Sequence, residues 1–431
     1  MKLNITDLGM NFEGVARNEG KVYFVPFGLV GEEVEITPIK DNKKFVNARI
    51  DKILTPSSER VMPFCPYFNI CGGCDIEHIR YDKQLEYKSK LVQDTLKKVA
   101  GITFEVENTT ESNLEYFYRN KGAFPISKDG IGMFKHSTHE VLPITQCMLM
   151  NNEINIALKV VKQFFAKHNI KGYDFNKHIG NNKFVVIRSV NKQTLVCLVV
   201  KEKLENLEEL YSNLQEKLDN VGLYLNYNYH KNSTILGDKY EHVAGLKTIK
   251  LEEFGISYEV DVASFLQVNP YIKHAIYKQV IDEVDASVVI DAYAGAGLMS
   301  AMLAKKAKKV YSVEIVKQAS KSAEELKRFN NLNNMEVING DCAQVIPNIV
   351  KSIGKDFSIV LDPARVGCEE KVIKVASLAK KILYISCNPI ALAKDLKILT
   401  KTHKIDYIKP FDMFPQTKHV ETLVCLTKIT E

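Results

Sequence analysis

The sequence predicts an α/β protein that ends in a doubly wound parallel sheet and begins with a smaller all-β unit. Three observations support this prediction. From about residue 271, short apolar runs alternate with helical patterns, as in a parallel sheet covered by helices. The first of these runs ends in a glycine-containing turn, DAYAGAG, at 291–297. Before residue 55, in contrast, short strand-like runs follow one another without helices.

Residues 1–54 predict a small β-barrel. Apolar residues form three short runs, which lie at 22–25, 34–36 and 45–50. Short strands at such close spacing are typical of small barrels. The same pattern also suits a β-hairpin appendage without a special function, so nucleic-acid binding by this unit stays open on the strand pattern alone.

Residues 55–270 predict a second domain of the α+β class. Over 82–100, Leu85, Leu91 and Leu96 stand near helical spacing, with lysines on the opposite face. Two strands and two further helices are predicted at 183–190, 194–201, 151–167 and 203–218.

Residues 271–431 predict the third domain, which contains the doubly wound sheet. Strand-like runs begin at 288, 310, 357, 381 and 421. Helices are predicted at 298–306, 315–329, 370–380 and 390–400. Because ligands of such sheets bind beyond the carboxyl ends of the strands, the residues that follow each strand are the candidates for function.

The composition indicates a globular protein of the cytoplasm. Hydrophobic residues make up 45% and charged residues 26%, which is an ordinary globular balance. No apolar run reaches the roughly 20 residues of a membrane helix, and no signal peptide is visible. The net charge of +6 is too modest to establish RNA binding by itself. In a reducing compartment, nine cysteines point to metal binding or catalysis before disulfides.

The turn at 291–297 predicts a cofactor site that includes Tyr293 and Gly295. Glu314 follows the next strand and is placed to accept the hydroxyls of a ribose, and Asp341 is expected near an adenine edge. A dinucleotide-binding turn would have a third glycine at position 300, but Ser300 stands there. S-adenosylmethionine, which has no pyrophosphate, fits better than NAD or FAD, and replacing Ser300 is expected to have little effect. A turn that serves only helix packing is the alternative.

Four further motifs have the strongest functional signal. They are SFLQVNP (264–270), LDPAR (361–365), YISCNP (384–389) and HVETL (419–423). Together they resemble those of the RNA uracil-5-methyltransferase family, over nearly the whole chain. The resemblance implies a Rossmann-like S-adenosylmethionine-dependent methyltransferase domain, preceded by an OB-like β-barrel of the TRAM type and an α+β central domain.

The resemblance also implies a role for each motif residue. Gln267 contacts S-adenosylmethionine, and Asp362 faces both cofactor and base. Cys387 is the nucleophile and Glu421 is the base. Taken singly, Cys387 could be a buried thiol at a strand end and Glu421 an exposed charge.

The chemistry of methylation at carbon 5 of uracil independently requires these residue types. That carbon is a poor nucleophile until a thiolate adds to carbon 6. A position beside a helix N-terminus is expected to favour the thiolate of Cys387, and Pro389 suits the first turn of such a helix. The proton on carbon 5 must then leave before the thiolate does, which requires a base such as Glu421.

A cysteine cluster lies in CPYFNICGGC, which contains Cys65, Cys71 and Cys74. The resemblance is to the larger, iron–sulfur branch of the family, and it implies that these thiols and Cys147 bind a [4Fe–4S] cluster. Zinc held by the three clustered cysteines and His78 is the competing interpretation, because His78 follows at finger-like spacing.

The segment 115–126, EYFYRNKGAFPI, mixes aromatic residues with Arg119 and Lys121, which suits RNA binding. An ordinary strand with an aromatic core face is the alternative. The family branch favours 23S ribosomal RNA as the substrate, with transfer RNA second, and a target uridine that is flipped out or unpaired. A nonenzymatic RNA-binding protein and a different methyl acceptor are the other hypotheses. No protein partner is implied, and a monomer is expected.

Overall fold

Four β-sheets organise the chain in the computed structural model, which describes residues 1–284 and 288–429. The first sheet has six strands in the order β1-β5-β6-β4-β3-β2. These strands are β1 (Lys2–Asn4), β2 (Asp7–Leu8), β3 (Gly14–Asn18), β4 (Lys21–Val25), β5 (Glu33–Asp41) and β6 (Phe45–Thr55). Alternate side chains of five of these strands bury a small core that contains Ala16, Val25 and Val34. The three predicted strands lie within β4, β5 and β6.

The second sheet has seven strands in the order β13-β12-β11-β10-β7-β8-β9. Its strands are β7 (Lys121–Ser127), β8 (Gly130–Phe134), β9 (Val141–Pro143), β10 (Asn182–Val190), β11 (Gln193–Val200), β12 (Asn220–Tyr227) and β13 (Lys239–Gly245). Helices α2 (Asn152–Lys167) and α3 (Leu207–Lys217) pack on one face of it. A two-stranded hairpin follows, with β14 (Ile249–Glu253) and β15 (Ile256–Val260).

The last sheet is the predicted doubly wound one, with seven strands in the order β18-β17-β16-β19-β20-β22-β21. Its strands are β16 (Val288–Ala292), β17 (Lys309–Glu314), β18 (Met335–Asn339), β19 (Phe357–Leu361), β20 (Lys381–Ser386), β21 (His403–Phe411) and β22 (Glu421–Lys428). Strands β16 to β20 are parallel, and β22 is antiparallel to β20. The helices are α4 (Pro270–Glu283), α5 (Leu298–Ala304), α6 (Lys317–Phe329), α7 (Cys342–Ile353), α8 (Glu370–Ala376) and α9 (Pro389–Leu399).

The long helix α1 (Tyr81–Ala100) belongs structurally to this last sheet, although it precedes the second one in the chain. Its buried Val92 and Leu96 join the core formed with Leu392 and Leu396 of α9. The amphipathic pattern predicted this helix, whereas its packing partner lies about 300 residues away. In the part of the chain that the structure describes, none of the helices combines the length and apolarity needed to cross a membrane.

Candidate active site

A cleft of about 480 Å³ opens at the carboxyl ends of β16, β19 and β20. Six of the residues predicted to form the catalytic and cofactor sites line it, and they come from five separate segments of the chain. They are Gln267, Tyr293, Gly295, Asp362, Cys387 and Glu421. Cys387 and Asp362 follow β20 and β19 directly, as expected for an open parallel sheet.

Glu421 reaches the same cleft because its strand runs the other way. It is the first residue of β22, and Thr422 beside it pairs with Ser386 at the end of β20. The start of an antiparallel strand lies at the edge where its parallel neighbours end. The topology therefore brings Glu421 to Cys387, 34 residues earlier in the chain.

The turn after β16 contains a non-glycine residue in a sparsely populated backbone conformation. Tyr293 has φ +64° and Gly295 has φ +56°, both in the left-handed region. No atom lies within 4 Å of the position that a side chain at Gly295 would occupy, so this glycine leaves room for a ligand. Gly297 differs, because a Cβ there would lie 2.7 Å from Ala323 of α6, and its role is close packing.

The two acids predicted to bind ribose and adenine are not among the residues that line the cleft. Glu314 ends β17 and accepts hydrogen bonds from Gly295 N at 2.9 Å and Val316 N at 2.7 Å. It therefore holds the turn that borders the cleft. Asp341 caps α7 by accepting from Ala343 N at 2.8 Å. Contact of either acid with the cofactor stays a prediction.

Burial raises the pKa of the acids at this site. It raises the pKa of Asp362 to about 7. It also raises the pKa of Glu421 well above its usual range, and the negative charge of Asp362 adds to this shift while Arg365 opposes it. Asp291, inside β16, is likewise raised to about 7 by burial.

Ser300 is a residue whose importance the sequence did not reveal. Its hydroxyl donates a hydrogen bond of 2.5 Å to Asp291 Oδ2, and both residues are buried. This bond partly opposes the raised pKa of Asp291. The expectation that replacing Ser300 has little effect rested on the missing third glycine alone and took no account of this buried contact. The effect of that replacement stays a prediction.

Cys387 is half-buried between β20 and α9. Asn388 caps α9 by accepting from Ile390 N at 3.1 Å, and Pro389 begins the helix as predicted. The expectation of a favoured thiolate is nevertheless wrong for this structure. Burial, followed by the charge of Glu421, raises the pKa of the thiol, and the lowering by Arg365 is smaller.

Three further residues line the cleft but were not predicted from the sequence to be functional. They are Tyr277 of α4, Phe414 and His419. The His419 ring packs edge-on to Phe414, with 5.9 Å between the ring centroids. Burial and Arg365 lower the pKa of His419, so a neutral imidazole faces the cleft at neutral pH. The motif HVETL contained this histidine, whereas nothing local marked Tyr277 or Phe414.

The four predicted cluster cysteines surround one small cavity of about 40 Å³. Cys65, Cys71 and Cys74 approach it from one segment and Cys147 from another, and burial raises the pKa of each thiol. Within residues 1–284 and 288–429, no three His, Cys, Asp or Glu side chains form a group that could hold a metal ion.

His78 does not line the cysteine cavity. It is buried, with its ring centroid 5.7 Å from that of Phe27 and 5.4 Å from that of Phe68. Burial lowers its pKa to about 3. The structure therefore does not place His78 at the cysteine cavity, as the zinc interpretation requires.

Arg119 and Lys121 are both half-buried. Arg119 lines the cysteine cavity, and its Nε is buried without a hydrogen-bond partner. The ammonium of Lys121 donates to Val262 O at 3.3 Å, and burial lowers its pKa to about 8. Lys121 is thus bonded to the protein in this structure, and RNA contact by Arg119 or Lys121 stays a prediction.

Comparisons with known proteins agree with this geometry. The family described as tRNA (uracil-5-)-methyltransferase matches residues 80–429. An uncharacterized RNA methyltransferase of Clostridium tetani is 35% identical, covering 99% of this chain and 95% of its own. Another, of Listeria monocytogenes, is also 35% identical, covering 99% and 97%.

A solved structure extends the agreement to the whole fold. The tRNA (uracil-54, C5)-methyltransferase of Pyrococcus abyssi, in complex with S-adenosyl-L-homocysteine, aligns with a TM-score of 0.80 and 26% identity. The alignment covers 99% of this chain and 100% of the other. The chain therefore belongs to the tRNA (uracil-5-)-methyltransferase family and is an S-adenosylmethionine-dependent RNA methyltransferase.

Proposed function

We propose that this enzyme methylates carbon 5 of a uridine in structured RNA through a covalent adduct of Cys387. The first candidate substrate is 23S ribosomal RNA. The observation that carries the proposal is the shared cleft of Cys387, Asp362 and Glu421. A thiol nucleophile and a carboxyl base are the groups that this reaction requires.

In the proposed reaction, Cys387 and Glu421 each take part in a defined bond change. The Cys387 thiol first loses its proton to solvent. The resulting thiolate adds to carbon 6 of uracil, and the electron pair of the 5,6 double bond moves toward carbon 5 and the carbonyl oxygen. Carbon 5 then takes the methyl group from the sulfonium, which leaves as the neutral thioether. Glu421 accepts the proton from carbon 5, the double bond re-forms, and the bond from sulfur to carbon 6 breaks.

The electrostatics of the cleft suit a reaction that begins only when the methyl donor is bound. Burial favours the neutral forms of Cys387 and Glu421. A positive sulfonium beside them favours their anionic forms. The methyl donor thus prepares the nucleophile, and Gln267 and Asp362 are the proposed residues that hold it.

The proposed RNA surface combines the cleft with residues 1–54. We assign this segment as an OB-like barrel of the TRAM type, followed by the 55–270 and 271–431 domains. Exposed Lys40, Lys43 and Lys44 at the β5–β6 turn are placed to meet phosphates. Arg119 and Lys121 require a local rearrangement before they contact RNA.

The choice of ribosomal RNA over transfer RNA rests on the resemblance to the iron–sulfur branch of the family, and it is tested by locating the methyl group. Tritiated S-adenosylmethionine and purified enzyme are added to total RNA from cells that lack this activity. We expect label in 23S ribosomal RNA, recovered as 5-methyluridine after digestion. Label in transfer RNA would select the second candidate, which the family description and the Pyrococcus enzyme's name favour. Label on cytosine or on protein would exclude both.

We further propose that Cys65, Cys71, Cys74 and Cys147 hold a [4Fe–4S] cluster. A single ion needs donors that converge on one point, whereas cluster thiolates stand around a volume, as these four do. Arg119 supplies a positive charge beside them, which lowers the pKa of Cys147 in part. Such a cluster would tie residues 65–74 to Cys147, and the methyl transfer needs no electron from it.

Anaerobically purified protein is expected to contain about four iron and four sulfide per chain. Cys147→Ser should lose most of this iron, because one of four ligands is gone. Cys197→Ser is the matched control, since Cys197 is buried in β11 away from the cavity, and it should keep its iron. Stoichiometric zinc without sulfide, or full iron retention in Cys147→Ser, would contradict the assignment.

A further inference from the structure

The segment between β21 and β22 forms one wall of the cleft. This 412–420 loop contributes Phe414 and His419 and leads directly into Glu421. Most of its residues are buried, although it has no regular secondary structure. A buried loop must pair its polar groups with other parts of the chain, and those partners determine where His419 and Glu421 stand.

Helix α1 supplies two of these partners. Lys88 Nζ lies 2.6 Å from Asp412 Oδ1, and both side chains are fully buried. One turn earlier, Gln84 makes a reciprocal pair with Gln416. Its Nε2 donates to Gln416 Oε1 at 2.8 Å, and its Oε1 accepts from Gln416 N at 3.1 Å. The loop is thus held at two points by one rigid helix.

The segment that contains Cys65, Cys71 and Cys74 supplies a third attachment for the 412–420 loop. The amides of Asp75 and Ile76, which follow Cys74, donate to Gln416 O at 3.1 and 3.2 Å. The carboxylate of Asp75 also lies 3.2 Å from Lys418 Nζ. Gln416 is therefore bonded through its amide, its carbonyl and its side chain, and it is the centre of the network.

A purely stabilising role explains these contacts poorly. An ion pair taken fully out of water gains little net stability, because lost hydration offsets the attraction between the charges. What such a pair does supply is one defined geometry, since breaking it leaves a charge buried and unpaired. A reciprocal pair of buried amides likewise fixes one geometry, because breaking it leaves buried polar groups without hydrogen-bond partners.

We propose that Gln84 and Lys88 are positioning residues that act through the 412–420 loop to aim His419 and Glu421 into the cleft. The catalytic part of this inference rests on the proposed function. Displacement of a catalytic group by about 1 Å costs on the order of a hundredfold in rate. Loosening the loop is therefore expected to slow methylation without removing any group that contacts substrate.

The test compares Gln84→Leu with Asn226→Leu. Asn226 is a matched control in the second sheet, because its buried amide also makes a reciprocal pair, here with the backbone of Gly237 at 2.8 and 2.7 Å. Amide hydrogen exchange should rise across 412–420 in Gln84→Leu and only near 228–238 in the control. Single-turnover methylation should fall about tenfold to a hundredfold in Gln84→Leu alone. Affinity for S-adenosyl-L-homocysteine should be unchanged in both, because the cofactor residues are untouched.

Two results would overturn the proposal: unchanged exchange in the loop, or faster exchange with wild-type turnover. Gln84→Glu is the second variant if leucine prevents folding, since it keeps the acceptor for Gln416 N and removes the donor. A wild-type protein that methylates no RNA would instead reject the proposed function. The exchange rates would still decide whether Gln84 holds the loop.

Discussion

The Glu421→Gln variant is expected to accumulate a covalent complex that joins Cys387 to methylated RNA. Glutamine keeps the size of glutamate but cannot accept the proton from carbon 5 of uracil. Addition and methyl transfer precede that step, so they should still occur. Release should slow by roughly 10²- to 10⁴-fold, the usual contribution of a general base. The complex should appear as a slowly migrating band in denaturing electrophoresis with labelled RNA.

Glu370→Gln is the control for this experiment. Glu370 is an exposed acid at the start of α8 that pairs with Lys374, and it lies outside the cleft. This variant should turn over normally without a persistent band. Normal turnover in Glu421→Gln would show that another group removes the proton, and His419 would then be the next candidate because its neutral ring also faces the cleft.

The Cys387→Ala variant is expected to lose methyl transfer almost completely while keeping its affinity for cofactor and RNA. Without the sulfur no bond to carbon 6 forms, and carbon 5 stays unreactive toward the sulfonium. Removal of a covalent nucleophile costs on the order of 10⁴-fold or more. Transfer of tritium from labelled S-adenosylmethionine into RNA measures this loss.

Cys368→Ala is the matched control, because Cys368 is another half-buried thiol near the same edge of the sheet, yet it does not line the cleft. It should retain activity. The double variant Cys387→Ala/Glu421→Gln should form no adduct, since the trap requires the sulfur. Methylation by Cys387→Ala at the wild-type rate would exclude the covalent mechanism.

The pattern of the last third of the chain predicted most of its elements, and the misses have physical causes. The edge strands β18 and β21 were not predicted, because polar residues interrupt the apolar residues of edge strands. In β18 only Met335 is buried. Helix α7 contains Pro347, which lacks the amide that a helix interior normally uses. Helix α4 has a weak amphipathic pattern, although Asn269 and Pro270 mark its start.

The sequence by itself determined which chemistry this protein offers. Motif residues such as Cys387 and Asp362 stand directly after apolar runs, and a strand followed by a polar turn is a local pattern that requires no knowledge of the fold. The tertiary structure decided which of those residues lie close together and how burial shifts their pKa values. The antiparallel direction of β22 brings Glu421 to Cys387, and burial raises the pKa of both groups. The hydrogen bonds from Ser300 to Asp291 and from Gln84 to Gln416 could not be predicted from the sequence either. Burial and long-range contacts depend on how the whole chain packs.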